Sequence, residues 1–293
     1  MRQANIGSRL PGLMPARDRS TTRRQDRVAR ALTGIERKFG VGALRRLGDV
    51  AEPVADVLPT GMPDLDRAIG IGGWPRGRIC EVFGPESVGV TTLLLQVLAA
   101  AQQRGGIVAL IDVDHAFVPE YARRLGCAVE EIYVAQPDDG PMALEIVDAL
   151  VRSGAFDAVA LDSVPGLYPP AVDNEGSDGR QSALERARLL SEAMRRLAAN
   201  IDRTRTVVLF GNRRAENSPD DREGATPGGR ALRFYSSVRL GMQRGHLVKD
   251  CLGAVGTSVK LTAVKNKVAP PLRECELQLV YGQGFCVDVP KQT

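Results

Sequence analysis

Apolar residues along this chain fall into short continuous runs that alternate with stripes at helical spacing. Ile79–Phe83, Ile107–Asp112, Ala158–Asp162 and Thr206–Gly211 are the runs; residues 91–103, 118–125, 141–152 and 183–200 carry the stripes. A strand that is apolar on both faces is buried on both faces. Strands that take turns with helices therefore predict a mostly parallel twisted sheet with helices on either side. Later runs at 257–264 and 275–281 predict two further strands with antiparallel neighbours. Met194 and the leucines of 183–200 read as ordinary core of this α/β arrangement.

The first sixty residues follow other rules. Residues 1–20 show no periodicity and are rich in Gly, Pro, Ser and Arg, which predicts a disordered lead. From Thr21 the apolar positions Val28, Leu32, Ile35 and Phe39 recur at helical spacing until Gly40. Nothing local covers that stripe, so it is a candidate docking face. Residues 48–60 read as an extended linker able to add a strand to a sheet edge. The expected division is a basic lead at 1–20, helix and linker at 21–60, and a core from 61 to 293. Charge sharpens the division: residues 1–46 hold twelve Arg or Lys against Asp18, Asp26 and Glu36, although the whole chain carries only +4. Such an arm suits weak, non-specific contact with nucleic acid, or an acidic protein surface.

Composition excludes some classes. The chain has no apolar run long enough to span a membrane and no apolar N-terminal stretch of signal type, so a cytoplasmic protein without membrane contact is expected. Cys80, Cys127, Cys251, Cys275 and Cys286 are widely spaced without a CxxC pair, which suits thiols in a reducing compartment. With only His115 and His246 as histidines, no metal site of His or Cys type is expected.

The candidate chemistry lies in Gly84-Pro-Glu-Ser-Val-Gly-Val-Thr-Thr92, between the run 79–83 and the stripe 91–103. Strand, glycine loop and helix start is the order in which backbone amides and a helix N-terminus cradle phosphate. Gly84, Gly89 and Thr91 fit G-x-x-x-x-G-K-[ST], but Val90 stands at the lysine. A charge about 4 Å from a phosphate, at an effective dielectric of about 20, is worth roughly 4 kcal/mol, or about three decades in affinity. Thr91 and the loop amides still allow weak Mg-ATP binding.

Longer stretches carry a resemblance. Leu58-Pro-Thr-Gly-Met-Pro-Asp-Leu-Asp66, Gly72-Gly-Trp-Pro-Arg-Gly-Arg78, Gly84-Pro-Glu-Ser87, Tyr121-Ala-Arg-Arg-Leu-Gly126, Leu161-Asp-Ser-Val164, Gly228 to Leu240 and Val264-Lys-Asn-Lys267 resemble the bacterial RecA recombinase family, in order, from about residue 26 to 288. The resemblance implies a RecA-type P-loop NTPase core, with the family's C-terminal domain absent. It implies a nucleotide site of Gly84, Ser87, Gly89, Thr91, Thr92, Tyr121 (stacking on adenine) and Asp162 (at the magnesium). Lys265 and Lys267 match lysines that reach across to a neighbouring subunit's nucleotide, and the Val28–Phe39 stripe matches a helix that docks on the next subunit.

Set against the family, four site positions depart: Val90 for the lysine, Asp114 for the glutamate that activates water, Val118 for an aspartate near the adenine, and Arg213 for the glutamine that senses the γ-phosphate. A carboxylate drawn back by about 1 Å costs about a hundredfold. The loops matching the family's DNA-binding loops, 170–180 and 213–229, are net acidic and lack a bulky apolar residue at the tip of the second. Together these predict a chain that is no enzyme, its nucleotide site vestigial and needing no cofactor. They predict an accessory or regulatory protein of the DNA-damage response, the SOS response, recombination or translesion mutagenesis, self-associating or bound to a RecA-family protein or a translesion polymerase complex. Two alternatives stay open. One is an ATP-dependent recombinase on single-stranded DNA in which another cation, such as Arg213, Lys265 or Lys267, replaces the lysine. The other is a dead subunit that poisons RecA filaments.

Overall fold

A computed structural model describes residues 19–44, 46, 56–167, 179–214, 226–227, 229–251 and 253–286. The chain divides into two units, Met1–Val54 and Ala55–Thr293. In the first, helix α1 (Arg19–Phe39) has Val28 and Phe39 exposed and Leu32 and Ile35 half-buried. It ends on Gly40, at φ 96°. The residues before Arg19 and most of the linker expected at 48–60 lie outside the described residues.

The second unit opens with strand β1 (Val57–Leu58), helix α2 (Pro63–Ile69) and strand β2 (Trp74–Pro75). β1 pairs with β2 of the same chain, so the end of the expected linker finds its strand partner sixteen residues on, Val57 facing Pro75 and Leu58 facing Trp74.

There follow β3 (Arg78–Gly84), α3 (Val90–Gln102), β4 (Val108–Asp112), α4 (Pro119–Arg124), β5 (Tyr133–Ala135), α5 (Gly140–Ser153), β6 (Ala158–Asp162), α6 (Gly179–Thr204) and β7 (Val207–Arg213). The chain closes with α7 (Gly229–Tyr235), β8 (Val238–Asp250), β9 (Gly253–Asn266), β10 (Glu274–Val280) and β11 (Gly284–Cys286). The main sheet has the order β11-β10-β9-β8-β3-β7-β6-β4-β5. β3 through β8 are parallel; β9, β10 and β11 continue antiparallel.

The continuous apolar runs are explained by two cores, one on each face. Cys80 and Val82 of β3, Leu110 of β4 and Leu209 of β7 point to the layer that holds Leu93, Leu94 and Leu98 of α3 together with Trp74. Their strand neighbours Ile79, Ile111 and Phe210 point to the opposite layer, with Leu144 and Val147 of α5 and Leu190, Met194 and Leu197 of α6. Side chains alternate along a strand, so a strand covered on both sides needs apolar residues at every position. Helix starts are set locally. Asp139 Oδ1 accepts the Met142 amide at 2.7 Å to cap α5, and Pro63 and Pro119 sit in the first turns of α2 and α4.

Elements absent from the sequence reading are β1, α2, β2, β5, α7, β8 and β11. The expected strand at 257–264 is longer, Gly253–Asn266, and the helix at 183–200 runs Gly179–Thr204. Of the cysteines, Cys80 and Cys127 are buried, Cys275 and Cys286 half-buried and Cys251 exposed; all are free thiols. Among the described residues no helix is long and apolar enough to cross a membrane.

Candidate nucleotide site

Parallel strands β3, β4, β6 and β7 end together, and the loop after β3 rises from that edge. Gly84 closes β3, and α3 begins at Val90 after a left-handed Gly89 at φ 100°. Here glycine is required twice over: a Cβ on Gly89 would sit 2.9 Å from Leu279 Cδ2 and 3.1 Å from Phe285 Cζ. Pro85 to Val88 form a turn closed by the Val88 amide on the Pro85 carbonyl at 3.4 Å, with Ser87 left-handed at φ 59°. Val88 is fully buried and Val90 packs half-buried against the core, while Thr91 stays exposed. First-turn amides of a helix have no carbonyl one turn back, so α3 offers donors where the motif expects phosphate.

Two hydroxyls are already engaged. Thr91 Oγ1 donates to Asp162 Oδ2 at 2.6 Å, joining the helix start to the end of β6, and Thr92 Oγ1 lies 2.7 Å from the Tyr121 hydroxyl. The structure thus brings Gly84, Ser87, Gly89, Thr91, Thr92, Tyr121 and Asp162 into one neighbourhood, as the sequence suggested. Burial pushes the Asp162 carboxyl up to about 6; Asp114 and Asp112 push the same way, against the Thr91 hydrogen bond and the Arg213 charge. Asp114 is held in turn, its Oδ2 accepting from Ser163 Oγ at 2.7 Å. His115 is exposed in a left-handed turn residue (φ 52°) rather than packed.

Arg213 ends β7 directly opposite Gly84 in the ladder, its guanidinium 3.9 Å from Glu86 of the loop. From the other neighbour of β3, Arg244 on β8 donates through Nη2 to the Ser87 carbonyl at 2.9 Å and the Glu86 carbonyl at 3.4 Å. Lys265 and Lys267 lie elsewhere. Lys265 Nζ donates to the Arg233 carbonyl, and both lysines donate to the Phe234 carbonyl, at 3.1 and 2.9 Å, closing the C-terminal end of α7. Burial and the neighbouring Lys267 bring Lys265 down to about 8.

Four residues that sequence reasoning did not single out, Glu81, Arg239, Asn212 and Asp112, underlie this edge. Glu81 of β3 is fully buried; it accepts from Arg239 Nε of β8 and from Asn212 Nδ2 of β7 at 2.8 Å. Asn212 also donates to the Pro227 carbonyl at 2.9 Å, and Arg239 to Thr226 Oγ1 at 3.2 Å. Asp112, 3% exposed, accepts the Ala116 and Phe117 amides at 3.0 Å each and Gln136 Nε2 at 2.8 Å, which fixes the segment carrying Asp114. Most of the acidic loops at 170–180 and 213–229 lies outside the described residues. Among the described residues, no group of three or more His, Cys, Asp or Glu is arranged as a metal site of its own.

Comparison with known proteins settles the kinship. The family model of the RecA N-terminal domain matches residues 26–286. The chain belongs to the RecA family. Protein RecA of Thermus thermophilus is 48% identical over 262 residues, covering 87% of this chain and 76% of that protein. Protein RecA of Streptomyces coelicolor is 46% identical over 270 residues, covering 90% and 71%. Among solved structures, the crystal structure of the RadB recombinase superposes with a TM-score of 0.60 at 20% identity, covering 78% of this chain and 98% of that one, which shows a shared fold. This kinship corrects the expectation of a chain that is no enzyme and needs no cofactor. Nearly half of all aligned positions are those of RecA proteins, over almost the whole chain. That expectation rested on the departures at Val90, Asp114, Val118 and Arg213 and on the acidic loops, and it counted Arg213 as a loss rather than as a cation beside the phosphate loop. Arg213 and Arg244, on the strands either side of β3, both reach it.

Proposed function

We propose that this RecA-family chain is an ATP-using recombination protein whose phosphate loop is served by arginines from flanking strands in place of its own lysine. The observation that carries the reading is Arg213, opposite Gly84 in register and 3.9 Å from Glu86. A guanidinium is always charged and its fork of donors suits phosphate oxygens, so it replaces a lysine's charge at the cost of a different reach. In the family the position belongs to a γ-phosphate sensor; a cation there meets the terminal phosphate directly.

The donor set fits magnesium nucleotide. Thr91 and Asp162, already 2.6 Å apart, supply hard oxygen donors of the kind magnesium takes beside phosphate oxygens. Magnesium bound with ATP neutralises charge on the phosphates and polarises the bond to be broken. The remaining work falls to the chain. Amides at the start of α3 bind phosphate, Tyr121 stacks on the base, and Asp114, anchored by Ser163, accepts the proton of the attacking water. Self-association through the Val28–Phe39 stripe, with Lys265 and Lys267 facing a neighbour's nucleotide, belongs to the same reading, as does action on DNA. No described residue supports the finer role of a translesion-polymerase partner.

Mg-ATP titrated calorimetrically into the protein should bind saturably, and single-stranded DNA should stimulate hydrolysis. Arg213→Ala should weaken binding about tenfold or more. Absence of both binding and hydrolysis in the native chain would overturn the reading.

A further inference from the structure

The second arginine at the loop does something different from the first. Arg244 meets carbonyl oxygens, those of Glu86 and Ser87, so it stands behind the cradle, on the side away from where a phosphate would lie. Each carbonyl shares a peptide plane with the next residue's N–H. Holding the Glu86 and Ser87 oxygens therefore fixes the peptide planes that carry the amides of Ser87 and Val88. The Glu86–Ser87 peptide is the central plane of the turn Pro85–Val88, the plane that rotates when such a turn changes type. A guanidinium on the carbonyl side also polarises those peptides, making their N–H groups better donors.

Within the loop the Val88 amide on the Pro85 carbonyl holds only the Ser87–Val88 plane, and the aim of Arg244 is built in elsewhere. The pairing of β8 with β9 is irregular between Arg244 and Leu247, so Gly245 and His246 bulge out of the ladder. Bulges redirect the side chains beside them. This one is pinned: Ser258 Oγ accepts the His246 amide at 3.1 Å and lies 2.9 Å from His246 Nδ1, and Thr257 Oγ1 donates to the His246 carbonyl at 3.2 Å. Gly245 is forced by the same contacts, since a Cβ there would fall 2.2 Å from Ser258 Oγ. Arg244-Gly245-His246 is thus a bent stretch of strand whose product is a guanidinium at the loop.

We infer that Arg244 is a positioning residue for nucleotide binding: from behind the loop it locks the Glu86–Ser87 peptide in the orientation that presents the Ser87 amide to phosphate, and holds the Ser87–Val88 peptide in the turn that the Val88 amide closes on the Pro85 carbonyl. The inference rests on the nucleotide-binding reading above for its ligand, but the bracing has a ligand-free readout. Hydrogen exchange in the nucleotide-free protein should show the amides of residues 86–89 exchanging severalfold faster in Arg244→Ala, with β4 and β6 unchanged. In steady-state hydrolysis, Arg244→Ala should raise KM for Mg-ATP about tenfold and leave kcat within about twofold. Arg244→Lys, which keeps a charged donor but has a different reach from the single Nη2 that serves both carbonyls, should recover part of the loss.

Exchange at 86–89 equal to native in Arg244→Ala overturns the inference, whatever the kinetics. Faster exchange with native KM and kcat also overturns it, because the brace would then be irrelevant to nucleotide. A native chain that binds no nucleotide defeats the functional reading instead, and leaves the exchange arm to decide whether Arg244 holds the loop.

Discussion

The two ends of the cleft above β3 are built by opposite means. At one end the groups sit where the motif puts them: Thr91 in the loop's own helix start meets Asp162 at the tip of β6, with Asp114 held beside them by Ser163. At the other end the motif's lysine is Val90, turned half-buried into the core, and positive charge arrives from outside the loop, through Arg213 on β7 and Arg244 on β8. What the difference teaches is that a charge need not be inherited at a fixed sequence position if the sheet supplies two neighbouring strands to deliver it. The Thr91–Asp162 pair joins a residue of the motif to the tip of β6. Chemistry that depends on field and orientation is spread over the scaffold.

The sharpest way to break this arrangement is beneath it. Glu81, Arg239 and Asn212 tie β3 to both strands that carry the arginines, and Glu81 and Arg239 are 0% and 4% exposed. Glu81→Gln takes the carboxylate from a buried guanidinium, a change that costs about 3–5 kcal/mol. Urea unfolding should show that loss, with both ends of the cleft weakened together. If nucleotide affinity survives in the folded fraction, the two ends do not depend on this common footing.

Next in size is Asp162. Asp162→Asn should lower hydrolysis about a hundredfold, while Arg213→Ala acts mainly on affinity. The same substitution should stabilise the ligand-free protein at neutral pH. The Asp162 pKa rises from 3.8 to about 6 on folding, so between those values the folded chain holds more proton than the unfolded one. Stability therefore falls as pH rises through that window and remains lower above it, by about 3 kcal/mol. Thermal unfolding of the native chain at pH 5 and 7.5 should show the decline, and Asp162→Asn should flatten it. The smallest effect is at the other end. Val90→Lys restores the missing charge next to two arginines, so it should tighten Mg-ATP by only about tenfold, against the three decades of an isolated lysine. A gain of the full three decades would mean that the arginines contribute little.

Legibility followed the same divide. The parallel half of the sheet was readable because β3, β4, β6 and β7 are covered on both faces and so are apolar at every position. β8 was not, because Gly241, Gln243, Arg244, Gly245 and His246 interrupt its pattern, and of these Gly245 and His246 form the bulge. α2 and α7, seven residues each, are too short for a stripe to declare itself. In the site, Thr91, Tyr121 and Asp162 were found by motif. Arg244 and Glu81 were hidden, because each acts across a separation of about 157 residues that only the sheet order β8-β3-β7 closes. Counting Arg213 as one departure among several, rather than as a cation beside the loop, led to the wrong expectation about catalysis.

The contact of Gly89 with Leu279 and Phe285 bears on how the protein is made. Gln96, about two turns further along α3, clasps the Phe285 backbone with both ends of its amide, accepting the N–H at 2.8 Å and donating to the carbonyl at 2.9 Å. The back wall of the phosphate loop therefore lies 189 residues beyond Gln96 and is synthesised long after the loop it supports. Until Phe285 has emerged, a nascent chain holds a loop with nothing to lean on, and nucleotide cannot serve as an early folding template for it.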